Sequence, residues 1–144
     1  MSELLRTARR SWDNQFDNPP IDMGIHNDVV WAISASPAVG VNGYAMVPAE
    51  GHPWSTGWPK DDDGWYVDDI IDVHGGVTYR QFPWLGFDTV HAWDIWPDEY
   101  NPGGVRMGFA GHPDWNIKWT VEKVIDEVKK LAAQIAQIGA NADG

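Results

Sequence analysis

The chain has no cysteine, which excludes a disulfide framework, a thiolate metal site and thiol nucleophiles. Positive charge is scarce: 10 Lys and Arg stand against 21 Asp and Glu, a formal net charge of −11. Phosphate backbones are bound through clustered Lys and Arg, so the balance argues against direct nucleic-acid binding. An acidic surface can instead mimic nucleic acid towards a protein that binds it, although strong acidity is more often a solubility feature. Long apolar runs are also missing. None approaches the roughly 18 residues of a membrane span, and no signal-peptide core follows Arg6, Arg9 and Arg10. The expectation is a soluble, cytoplasmic protein without a membrane partner. Phenylalanine is sparse too, 4 against 10 tryptophans. An indole N–H needs a partner when buried, so many tryptophans in a small domain point to pocket walls or interfaces as well as core.

At 144 residues the chain is the size of one domain able to bury a core without staples. Residues 1–28 combine a short helical possibility, Ser2 to Ser11, with turn chemistry that ends in Pro19 and Pro20. They read as an arm anchored by Trp12, Phe16 and Ile21, with 29–139 as the domain and 140–144 as a disordered tail. Val29 to Ile33 is a continuous apolar, β-rich run, hence a buried strand. Val39 to Val47 is the next strand. Pro48 to Gly64 is a long breaker-rich loop, and its Asp61-Asp62-Asp63 run suits a solvated turn better than a calcium loop, which needs ligands at alternating positions.

The stretch from Asp69 to Asp94 is the densest in carboxylates, histidines and aromatics. Gly75-Gly76 suits a two-residue hairpin turn between strands Ile70–His74 and Val77–Phe82. That register puts Asp72, His74, Val77 and Tyr79 on one face and Ile71, Val73 and Thr78 on the other, core-facing side. Trp84 to Phe87 reads as a third strand. Asp88 to Asp94 reads as a helical turn capped by Asp88, with Asp88, His91 and Asp94 along one side. Val105 to Phe109 is a further short strand, and Gly111-His-Pro echoes Gly51-His-Pro too briefly to mark a repeat. Val121, Val124, Ile125, Val128, Leu131, Ala132, Ile135 and Ile138 recur at helical spacing, with Thr120 as N-cap and Gly139 as stop. The fold expected is α+β: a single domain with a mainly antiparallel sheet and this helix packed on one face.

The ordered series Gly43-Tyr-Ala-Met-Val-Pro, Glu50-Gly-His-Pro, Asp72-Val-His-Gly-Gly-Val-Thr-Tyr79 and Trp84-Leu-Gly-Phe-Asp88 with His91 and Asp94, closed by the C-terminal helix, resembles a family of small uncharacterised bacteriophage and prophage proteins. The similarity spans most of residues 43–138. Members often carry cysteine where this chain has Val41 and Thr89, and this chain is longer between His52 and Asp69. The resemblance implies a phage-type accessory protein acting in a bacterial host cell, a class that frequently counters host defence.

Three functions stay open on the residues. In the first, a nucleotide-derived ligand, such as a host defence signal to be sequestered, is held by His52, Trp54, Asp72, His74, Thr78, Tyr79, Trp84, Asp88, His91 and Asp94, with rings stacking and polar groups reading its edges. In the second, Asp72, His74, Asp88 and His91 are the catalytic groups of a hydrolase, with His74, Asp88 and His91 as candidate ligands of a divalent metal. No His-Glu-x-x-His pattern supports this, and the same residues suit ordinary turn hydrogen bonding. In the third, acidic loops carrying Asp61–Asp63, Asp68 and Asp69 act as a decoy that inhibits a defence nuclease. No cofactor is required by the sequence. Exposed aromatics make a homo-oligomer plausible.

Overall fold

A computed structural model describes residues 2–59, 66–91, 94–105 and 116–143. Helix α1 (Glu3–Gln15) precedes strands β1 (Asp22–His26), β2 (Val29–Ala35) and β3 (Val41–Met46), the short helix α2 (Tyr66–Ile70), and strands β4 (Tyr79–Gln81) and β5 (Trp84–Phe87). These five strands form an antiparallel sheet ordered β1-β2-β3-β5-β4. A two-stranded parallel pair, β6 (Asp94–Ile95) and β7 (Ile117–Lys118), follows with the long helix α3 (Val121–Asp143). The architecture is α+β, with α3 packed against β2 and β3 as expected.

The central strand explains the layering. Every residue from Val29 to Ser34 is buried, because a continuous apolar run can be satisfied only with cover on both faces. Trp31 and Ile33 face Val128, Leu131 and Ile135 of α3, whereas Val30 and Ala32 face Ala8 and Trp12 of α1. Residues 1–28 are therefore no arm. Ser2 caps α1 by accepting from Leu5 N, and the helix runs past Ser11 until Phe16 turns extended. Trp12 is fully buried, stacks on Phe16 at 3.7 Å and donates from Nε1 to Asn18 O. Trp84 lies under α1, its Nε1 bonded to Ser11 Oγ. Of the three expected anchors, Ile21 is exposed. Strand β1 joins the sheet through the two-residue Asn27-Asp28 turn, both residues at positive φ (51° and 66°), a conformation that Asn and Asp tolerate.

Two further expectations need correcting. The Ile70–His74 and Val77–Phe82 hairpin does not form. Ile70 ends α2, and the backbone of Asp72 and His74 bonds to α3 side chains: Asp72 N to Gln134 Oε1 (2.8 Å), Gln134 Nε2 to Asp72 O (2.7 Å) and His74 N to Glu127 Oε1 (2.7 Å). Burial of Val67, Ile71 and Val73 in the α3-facing core commits the segment to that helix. Gly75-Gly76 does make a turn, with Gly76 N bonded to Val73 O, but the sheet hairpin lies one step later, where Phe82-Pro83 joins β4 to β5. At the C-terminus, α3 continues past the expected stop at Gly139 to Asp143. The His52 ring packs where a Cβ on residue 139 would stand, 2.9 Å from Cδ2, so this glycine serves close packing and not helix termination. The Asp61–Asp63 turn, Arg106–Phe109 of the expected strand and Gly111-His-Pro-Asp-Trp115 lie outside the described residues. No helix among the described residues is long and apolar enough to cross a membrane.

Candidate functional site

Asp88 to His91 are not helical, and Asp94 begins a strand, yet the contact that the spacing suggested is made. Asp88 Oδ1 accepts from Val90 N (3.4 Å), Thr89 is buried with its hydroxyl donating to Val41 O, and Asp94 N donates to His91 O (2.9 Å). The chain thereby folds back so that Asp94, at the start of β6, is fully buried beneath His91. From the other side, the Gly75-Gly76 turn presents His74. Gly75 has φ +69°, and a side chain there would overlap Cε1 and Nε2 of the His91 ring. The glycine is needed twice, for the backbone conformation and for the close approach of the two segments.

His74, His91 and Asp94 converge, with one ligand atom from each lying within 4.8 Å of the others. His74 Nε2 is 2.9 Å from Asp94 Oδ1, and His91 Nδ1 is 2.8 Å from Oδ2. Trp119 Nε1 donates to Oδ1 at 2.8 Å and His91 N to Oδ2 at 2.9 Å. The His74 ring stands edge-on to His91 and to Trp119. Burial pushes the Asp94 carboxyl up, but the bonds from Trp119, the His91 backbone and the two imidazoles outweigh it, and the net shift is below the ordinary value. The Asp94 carboxyl is therefore ionised at neutral pH, with two imidazoles beside it. Both histidines keep some exposure, 14% and 20% of their side chains, so the cluster is reachable from solvent while the carboxylate is not. Asp88 Oδ1 stands 3.5 Å from His91 Nε2, on the opposite edge of the ring from Asp94.

The other sequence candidates go elsewhere. Asp72 points to solvent, 3.6 Å from Lys130 Nζ. His52 is buried, with Nε2 donating to Ile135 O and Nδ1 accepting from Trp54 N, which holds the loop after β3 onto α3. Trp54 is part of the same core. Trp84 and Tyr79 belong to the aromatic group beneath α1, where Tyr79 Oη accepts from Gln15 Nε2 and packs on Phe16 and Tyr44. Thr78 is exposed, its N–H bonded to Gly86 O. The ten candidate ligand residues thus do not gather in one pocket; His74, His91 and Asp94 do, with Asp88 beside them. Nothing local in the sequence marks the bond from Trp119 to Asp94. A buried indole N–H needs an acceptor, and a carboxylate in an aromatic-rich chain is a natural one. Glu127 and Gln134, which hold the His74 segment, were hidden among the polar positions of α3.

Comparison with protein families, curated proteins and solved structures found no match.

Proposed function

We propose that this is a phage-type accessory protein in which His74, His91 and Asp94 bind one divalent transition-metal ion and use it to activate water for hydrolysis. The observation that carries the reading is the convergence of two imidazoles on one buried, ionised carboxylate. Two nitrogens and one oxygen suit zinc, manganese or iron, and three protein ligands leave a position for water or substrate. A bound metal lowers the pKa of that water towards about 7. His74 Nε2, His91 Nδ1 and an Asp94 carboxylate oxygen would be the atoms that hold such an ion. Trp119 Nε1 orients the carboxylate, and Asp88 Oδ1, 3.5 Å from His91 Nε2 on the far edge of the ring, would steady that ring as a ligand. The nucleotide-capture reading has less support, because its stacking and edge-reading residues are spread over both faces of the sheet.

The test is to load purified protein with zinc or manganese and incubate it with phosphodiester and nucleotide substrates. Metal-dependent appearance of product, abolished in His74→Ala and His91→Ala, is the expected result. A nucleotide retained and released unchanged on denaturation would replace hydrolysis with capture, and inactivity on the whole panel would remove the hydrolase reading.

A further inference from the structure

The two edges of the sheet are not alike. Strand β4 is three residues long, and Gln15 Nε2 reaches round to bond Gln81 O at 2.7 Å, closing that edge from within the chain. Strand β1 is five residues long and, among the described residues, borders no other strand on its outer side. Its Met23 N–H is held by the Asp22 carboxylate, Oδ1 at 2.9 Å, which is the kind of cover an exposed edge needs. Ile21 and Ile25 are nonetheless exposed, 45% and 40%. Beside them a groove of about 270 Å³ runs between α1 and β1, lined by Leu5, Arg9, Pro20, Ile21, Asp22 and Met23.

We propose that β1 pairs antiparallel with β1 of a second copy, about a two-fold axis at Gly24, to give a dimer with a continuous ten-stranded sheet. The argument is self-complementarity. Centring the pair on Gly24 sets Met23 opposite Ile25 of the second copy and Asp22 opposite His26 of the second copy. Side chains alternate, so Met23 and Ile25 share the face that carries α1 and the groove. The exposed Ile25 of each copy therefore lies against the Met23 end of the other copy's groove, so that one isologous patch carries both the apolar knob and its seat. On the other face, acid meets imidazole at both ends of the strand, whereas a register shifted by one residue loses both matches. On pairing, Met23 N–H passes from Asp22 to a carbonyl of the second strand, and the carboxylate turns to His26 of the second copy.

The mass of the full-length protein is measured by light scattering over a concentration series, at moderate ionic strength to screen the charge of −11 on each chain. The expected wild-type result is a monomer–dimer equilibrium reaching twice the chain mass. Ile25→Glu, a change at an exposed position, places two unmatched charges in one interface and raises the dissociation constant by about a hundredfold, roughly tenfold per copy. Asp22→His and His26→Asp each weaken the dimer by setting like groups opposite one another, and the double variant recovers it. A wild-type protein that stays monomeric throughout, an Ile25→Glu protein that dimerises as well as wild type, or a double swap no better than its singles would each overturn the proposal. Circular dichroism of every variant establishes that the protomer has stayed folded.

Discussion

Gly75 and Gly76 offer a matched pair of substitutions that separates turn strain from damage to the site. Both have positive φ, 69° and 83°, so alanine at either costs about 1–2 kcal/mol of backbone strain. At Gly75 the added methyl meets the Cε1–Nε2 edge of His91, whereas a methyl on Gly76 meets nothing within 4 Å among the described residues. Moving His91 breaks its Nδ1 bond to the ionised Asp94 carboxylate, a charge-assisted bond whose loss costs about 1.5–3 kcal/mol. Gly75→Ala should therefore destabilise the protein by about 2.5–5 kcal/mol and Gly76→Ala by about 1–2 kcal/mol. At about 4 °C per kcal/mol for a chain of this size, the midpoints should fall by about 10–20 °C and about 4–8 °C. Thermal unfolding followed by tryptophan fluorescence reads the difference, and zinc titration of the folded variants gives an independent check. Gly75→Ala should bind zinc more weakly than wild type, and Gly76→Ala should bind it equally. Equal losses of stability together with equal zinc affinity would refute the placement of His91 over the turn.

Asp94→Asn leaves one amide oxygen to serve donors that now occupy two carboxylate oxygens, and should cost about 3–5 kcal/mol in urea unfolding. Because the folded carboxyl lies below its ordinary value of 3.8, its contribution to stability is complete above that value and is lost as pH falls through the lower folded one. Wild type should therefore lose stability below about pH 4 more steeply than Asp94→Asn does, as read by acid titration of the unfolding midpoint. Trp12→Ala should cost about 3–5 kcal/mol in the same assay, since a fully buried ring with a bonded N–H is removed. Gln134→Ala removes the two hydrogen bonds between its side chain and the Asp72 backbone and should cost about 1–2 kcal/mol while leaving Trp12 and Trp84 fluorescence in the folded state unchanged.

The elements legible in the sequence were those whose pattern is local. The stripe from Val121 to Ile138 and the apolar runs at Val29 and Trp84 gave α3, β2 and β5, because period and β-branching act over a few residues. The run at Val29 also carried the sign of a doubly covered strand, and the second cover is α1, built from residues that turn chemistry at Asp13–Pro20 had disguised as an arm. The Ile70–His74 segment misled because its apolar residues alternate like a strand, while its backbone partners, Glu127 and Gln134, lie more than fifty positions away in sequence. No local pattern encodes such a partner. The same limit governs the site. Three-residue spacing brought His91 and Asp94 together on the page, and the turn glycines pointed to His74, but the convergence of the two groups depends on tertiary packing around Trp119.

The most direct test of the account is calorimetric titration of the metal-free protein with zinc, alongside His74→Ala, His91→Ala and Asp94→Asn. The account predicts one equivalent of zinc per chain for the wild type, with affinity lost or severely weakened in each variant that remains folded. Absence of zinc binding by the wild type, or binding of equal strength by the folded His74→Ala and His91→Ala proteins, would contradict it.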